Sequence, residues 1–154
     1  MLDRATDHAF TAAHGTLDSL AGVLREADAS AEEHLLRQHV LNAVTRRLGA
    51  EHPDALPSRN NLAVALAGLA RYQEAADLFR RVLTDRERTL GPDHPDTLTS
   101  LNNLAAALVG LGRYQEAIGL HRRALADRER TLGPDHPHTL RSQENLARTE
   151  AVAA

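Results

Sequence analysis

A chain of 154 residues, 42% of them hydrophobic, is long enough for one ordinary domain with a sizeable core. A net charge of −3 leaves it without the basic face of a nucleic-acid binder, and the lack of cysteine excludes a disulfide framework, a thiolate zinc site and a thiol nucleophile. All 18 basic residues are Arg, so Schiff-base chemistry and a phosphate loop ending in Gly-Lys are also absent, and the Arg bias reads as genomic composition.

Aromatic residues make up only 3%, and Ala and Leu, both helix formers, supply most of the apolar mass. The chain repeats itself. RYQEA stands at 71 and 113, GPDHP at 91 and 133, and GAEHP, a looser copy, at 49. Residues 55–96 and 97–138 agree at 30 of 42 positions. A fixed period of this size marks stacked helical units, and its phase can be followed along the chain.

Residues 1–12 read as an N-terminal extension or a short cap. They lack the basic region and apolar run of a secretory signal. The longest apolar stretch, LAVALAGLA at 62–70, is too short to span a bilayer, so a cytoplasmic chain with no membrane partner is expected.

The phase places a first repeat at about 13–48. In TLDSLAGVLREA, Leu17, Leu20, Ala21 and Leu24 share one face. SAEEHLLRQHVLNAVTRRLG then gives a helix over 30–47, with Ser30 as N-cap and Glu33 closing a capping box. A second repeat spans 55–90, with helices over 55–69 and 72–89.

A third repeat spans 97–132. Leu98, Leu101, Leu104, Ala105 and Leu108 follow the spacing of one buried helix face in 97–112, and Ala117, Leu120, Ala124 and Leu125 do so in 114–131. Gly112 closes the first of these helices in the left-handed conformation. Between repeats, in LGPDHPDT, Gly91 and Pro92 end one helix. Asp93 is the expected N-cap of the next, with Asp96 as its capping-box acid and Pro95 in its first turn.

A final helix over 139–151 is more polar. Gln143, Glu144, Arg148 and Glu150 replace residues that are mostly apolar or small elsewhere, as the wet face of a capping helix requires. Residues 13–154 thus read as a single domain.

The pattern Leu101-x-x-Leu104-Ala105-x-x-Leu108, then Gly112-x-Tyr114-x-x-Ala117, resembles the tetratricopeptide repeat. Leu62, Ala63, Leu66, Tyr72, Ala75 and Phe79 match it in the other full copy. The long period, with Asn-Asn-Leu-Ala and Gly-Pro-Asp-His-Pro, looks like the variant found in kinesin light chains, and bacterial arrays are similar, including those of signalling ATPases. The resemblance implies an all-α fold, a right-handed α-solenoid superhelix of about 3.5 helix-turn-helix repeats and roughly seven helices. Two departures stand out. The large residue that opens the consensus is Arg59, Leu101 or Gln143 here, and Glu87 and Glu129 stand near the place of the usual closing Pro.

Nine His residues raise the question of a metal site. His94 and His136 sit one on each junction, and His136 and His138 flank Pro137, but no His-Glu-x-x-His set is present. They read as structural or solvent-exposed, with no metal. Asp77 with Arg81, Asp127 with Glu129 and runs such as RRVLTDRER read as solvated helix faces. With no nucleophile elbow either, neither an enzyme nor a cofactor is expected.

What remains is a ladder of amides. By resemblance, the first helix of each repeat lines a concave face, and Asn61, Asn103 and Asn145 fall on equivalent turns, beside Asn60 and Asn102. An amide both donates and accepts, so it matches a peptide backbone whatever the side chains. The alternative is that one Asn of each pair stabilises the neighbouring hairpin. Val64 with Ala67 and Gly68, and Ala106 with Val109 and Gly110, keep that face open and mildly apolar. Arg25, Arg59 and Arg141 add positive charge that favours an acidic or C-terminal carboxylate ligand. The Lys-and-Asn carboxylate clamp of chaperone-binding relatives is not reproduced.

The function expected is a non-catalytic module binding a protein or peptide partner in the groove. Its rivals are assembly as a homodimer through the end helices, and a regulatory sensor segment of a larger signalling ATPase. An engineered array is a third, against which the irregularity of residues 1–47 speaks.

Overall fold

The computed structural model describes residue 19, residues 30–49, residue 52 and residues 55–154. Among the described residues the regular elements are all helices: α1 (Ser30–Leu48), α2 (Ala55–Gly68), α3 (Tyr72–Leu90), α4 (Pro95–Gly110), α5 (Tyr114–Leu132) and α6 (Pro137–Ala153). The extension at 1–12, the helix expected near 13–27 (residue 19 apart, which is helical) and the side-chain cap at Ser30 lie outside what is described.

The chain forms two compact units, residues 1–69 and 70–154. In the first, α1 packs on α2 around Val40, Val44 and Ala55, with Leu36 and Leu48 against them. Glu33, expected to close the capping box, is buried and accepts from Arg37 Nε at 2.8 Å.

In the second unit α3, α4, α5 and α6 pack in chain order, each on the next. Leu98, Leu101, Leu104, Ala105 and Leu108 are buried on α4, on the face their spacing predicts. On α5 the outcome differs. Ala117 and Ala124 are buried, but Leu120 and Leu125 are only half-buried, and Ile118, His121 and Arg128 complete the buried stripe. Gly112 takes φ +73, and the Arg113 N–H donates to Leu108 O at 2.9 Å, closing the end of α4. Gly110 does not merely keep a surface open: a Cβ there would meet the Tyr72 ring at 2.5 Å, so α3 and α4 approach through it.

The N-cap of α4 is His94, not Asp93. Pro95 is the first helical residue, and a proline holds the residue before it extended, here at φ −65 and ψ 138. His94 Nδ1 then accepts the Asp96 N–H at 3.2 Å, and His136 does the same for His138 on α6. Asp93, one residue too early to cap, accepts from Arg130 of the following repeat.

Two arginines in the supposedly solvated runs turn inward. Arg86 Nη1 donates to Ser100 Oγ at 2.8 Å and to Asp96 O at 3.0 Å; Arg128 Nη1 donates to Ser142 Oγ at 2.6 Å and to His138 O at 3.4 Å. Each clasp ties the second helix of one repeat to the first helix of the next. Burial lowers the pKa of both guanidiniums; beside Arg86 the Asp96 charge opposes that shift, whereas Arg141 adds to it at Arg128.

Candidate functional site

A pocket of about 290 Å³ lies between α4 and α6, with α5 contributing to its lining. Asn102, Ala106 and Val109 come from α4, His121 from α5, and Asn145, Arg148, Thr149 and Val152 from α6. Spacings of three and four residues bring each set onto one helix face, and the prolines that begin α4 and α6 fix where each helix starts.

His121 is only 3% exposed. Its Nδ1 lies 3.0 Å from Asn102 Oδ1. The amide oxygen accepts, so the ring carries its proton on Nδ1, which leaves Nε2 as an acceptor and the Asn102 NH₂ group as a donor. Burial pushes the His121 pKa down, favouring this neutral form. The Thr149 hydroxyl donates to Asn145 O at 2.9 Å. Arg148 is exposed on the rim, and among the described residues it forms no ion pair.

The pocket thus offers amide groups and one cation beside an apolar wall of Ala106, Val109 and Val152. Its histidine is tied to an amide rather than to a carboxylate, and no serine or cysteine lines the pocket beside it. Such a lining can donate and accept hydrogen bonds. Among the described residues no group of three His, Asp or Glu side chains could hold a metal ion, and no helix is long and apolar enough to cross a membrane.

The residues singled out from the sequence fall as follows. Arg59, Asn60, Asn61 and Val64 are half-buried on α2, in the first unit. Asn102, Ala106, Val109 and Asn145 come together in the pocket. Asn103, half-buried on α4, and Arg141, exposed on α6, do not line it. Asn102 combines both roles weighed for the ladder, lining the pocket while bonding the next helix. His121, Thr149 and Val152 were not singled out, and Arg148 was read only as part of the wet face of the last helix. One signal pointed to them: His121 occupies the position of Phe79, and Arg148 that of Ala106 and Val64.

A second pocket, of about 260 Å³, lies near the junctions; it is lined by apolar Pro95, Leu98 and Leu132 together with Asp93, Thr99, Arg128, Thr131 and His138. It contains no amide side chain, and its Arg128 is committed to Ser142.

Known proteins agree with this architecture. The tetratricopeptide-repeat family model matches residues 13–88, 61–130 and 100–152. Two solved structures of a kinesin-light-chain-type protein of Podosopora anserina, with nearly identical TPR-like repeats, are 33% identical to the chain, with TM-scores of 0.81 and 0.82. They cover 87% of this chain, which spans 63% and 64% of theirs. BtubC (BKLC) of P. vanneervenii is 20% identical over 91% of this chain and 56% of its own, with a TM-score of 0.80, a likeness of fold. The chain therefore spans less than two thirds of each of these structures. The fold shared with them is the all-α helical-repeat solenoid. No curated protein matches the chain.

Proposed function

The chain belongs to the tetratricopeptide-repeat family, and from that premise we propose that it is a non-catalytic module holding a peptide segment of a protein partner in the pocket between α4 and α6. Repeats of this family serve in general as protein–protein interaction modules and scaffolds. The observation that carries the reading is the pairing of His121 with Asn102. A buried ring whose Nδ1–H donates to the amide oxygen fixes that amide, so its NH₂ group is presented in one orientation to a peptide carbonyl. Asn145, across the pocket, supplies a second amide, and Arg148 favours an acceptor-rich or acidic residue nearby. Asn103 and Arg141 belong to the same proposal as residues that a longer peptide would meet, and Arg59, Asn60, Asn61 and Val64, on α2 of the first unit, are proposed separately as peptide-contacting residues of that unit.

The test is selection of peptides from a random display library on the immobilised chain, followed by fluorescence anisotropy with the selected sequences. Asn102→Ala and Arg148→Ala should each weaken binding by about tenfold, the loss of roughly 1.4 kcal/mol of hydrogen-bond energy. Gln115→Ala, on the exposed first turn of α5, should leave it unchanged. Selected peptides that bind all three variants as tightly as the native chain would place recognition elsewhere.

A further inference from the structure

One ridge of side chains at four-residue spacing changes character in the last helix. It reads Leu56, Asn60, Val64, Gly68 on α2 and Leu98, Asn102, Ala106, Gly110 on α4, but Leu140, Glu144, Arg148, Val152 on α6. Leu98 is 1% exposed, whereas Leu140 is 50% and Val152 61% exposed. Two large apolar side chains thus stand in water at the two ends of the ridge, about 18 Å apart along the helix, with opposite charges between them. Glu144 and Arg148 are four residues apart, the spacing of an intrahelical pair, yet among the described residues neither forms an ion pair. Their neighbour Glu150 does, with Arg122 at 2.6 Å.

We propose that this ridge is an interface between two copies of this chain, α6 packing antiparallel on the second copy's α6 about a two-fold axis level with Leu146. The ridge is self-complementary in that register. Leu140 meets the partner's Val152, Glu144 meets the partner's Arg148, and symmetry makes each contact twice. A crossing of about −50°, at which the four-residue ridges of two helices run parallel, keeps both ends in reach. Neighbouring choices fail on charge. An antiparallel axis level with 144 sets Glu144 against its own copy, one level with 148 does so for Arg148, and a parallel pair does both. A contact one helix long falls below the roughly 1,200 Å² of a standard interface, so the dimer is weak and its population rises between micromolar and millimolar protein. Arg148 and Val152 also line the peptide pocket, so pairing covers part of its mouth, but the assembly does not depend on peptide binding.

Sedimentation equilibrium of the full chain tests this. The native protein should move from the mass of one chain to that of two as concentration rises. Glu144→Arg and Arg148→Glu should each raise the dissociation constant about tenfold or more, with unchanged helicity by circular dichroism. Mixed one to one, the two variants should pair as well as the native chain, because each supplies the charges that the other lacks. A native chain that stays single at millimolar concentration overturns the proposal. So do single variants that pair like the native chain, or a mixture that remains unpaired.

Discussion

Ala70 and Gly112 occupy the same position in successive repeats and take the same left-handed backbone, at φ +58 and +73. That conformation brings an L residue's Cβ close to the carbonyl oxygen, at about 1–2 kcal/mol, and glycine escapes the clash. One repeat therefore holds a strained alanine where the next has the residue that fits. Ala70→Gly should raise stability, but by less than the full strain, since glycine also gives the unfolded chain more freedom. The expected net gain is about 0.5–1 kcal/mol, seen as a higher urea midpoint at unchanged slope. Gly112→Ala should lose at least as much, although its Cβ would find open space, because the penalty lies in the backbone. A lower midpoint for Ala70→Gly would mean that the methyl group makes packing contacts worth more than the strain.

Between elements, the buried arginine clasps set how one repeat meets the next, and the two are unequal. Arg86 keeps a firm second acceptor, Asp96 O at 3.0 Å, with the Asp96 charge nearby; Arg128 has only His138 O at 3.4 Å and the repelling Arg141. Removing the serine should thus hurt the second clasp more. Ser142→Ala should cost about 1.5–3 kcal/mol, the range for a hydrogen bond to a charged group, and Ser100→Ala should fall at or below its lower end. Equal losses in thermal or urea unfolding would show that the second acceptor is irrelevant. The helices themselves were legible, because a strict repeat carries their start, stop and buried face from one copy to the next. The clasps were not, because a run such as RRVLTDRER does not reveal which charge turns inward. One clue was present: Val44, buried in the first unit, stands at the position of Arg86 and Arg128, so the position is a core position whatever fills it. The Asp93 cap was misplaced because proline's demand on the preceding residue outweighs aspartate's preference for capping.

For the molecule as a whole, the repeated residues give the fold and the departures from repetition give the candidate site. Phe79 and His121 show this most directly. Both are almost fully buried at one position, yet only His121 brings a polar ring, bonded to Asn102, into a pocket. A periodic reading averages such departures away, so it singled out Asn102 and Asn145, which line the pocket, but not the histidine that orients Asn102. The same departure couples stability to pH. Burial depresses the folded His121 pKa below its ordinary 6.5. Above that value the group is neutral both folded and unfolded, and its share of stability is fully present. As pH falls below it, the unfolded chain takes up the proton first, and stability is lost until pH has passed through the folded pKa. His121→Phe places there the side chain that its sister repeat already buries, and it removes the titrating group while costing the bond to Asn102. The stability of the variant relative to the native chain should therefore rise steadily between about pH 7 and 5, whatever its offset at neutrality, and the other histidines cancel in the difference. Urea unfolding of both proteins across that range reads the slope directly. A flat difference would mean that water reaches His121 in the folded chain, and the fixed orientation of Asn102, on which the peptide reading rests, would go with it.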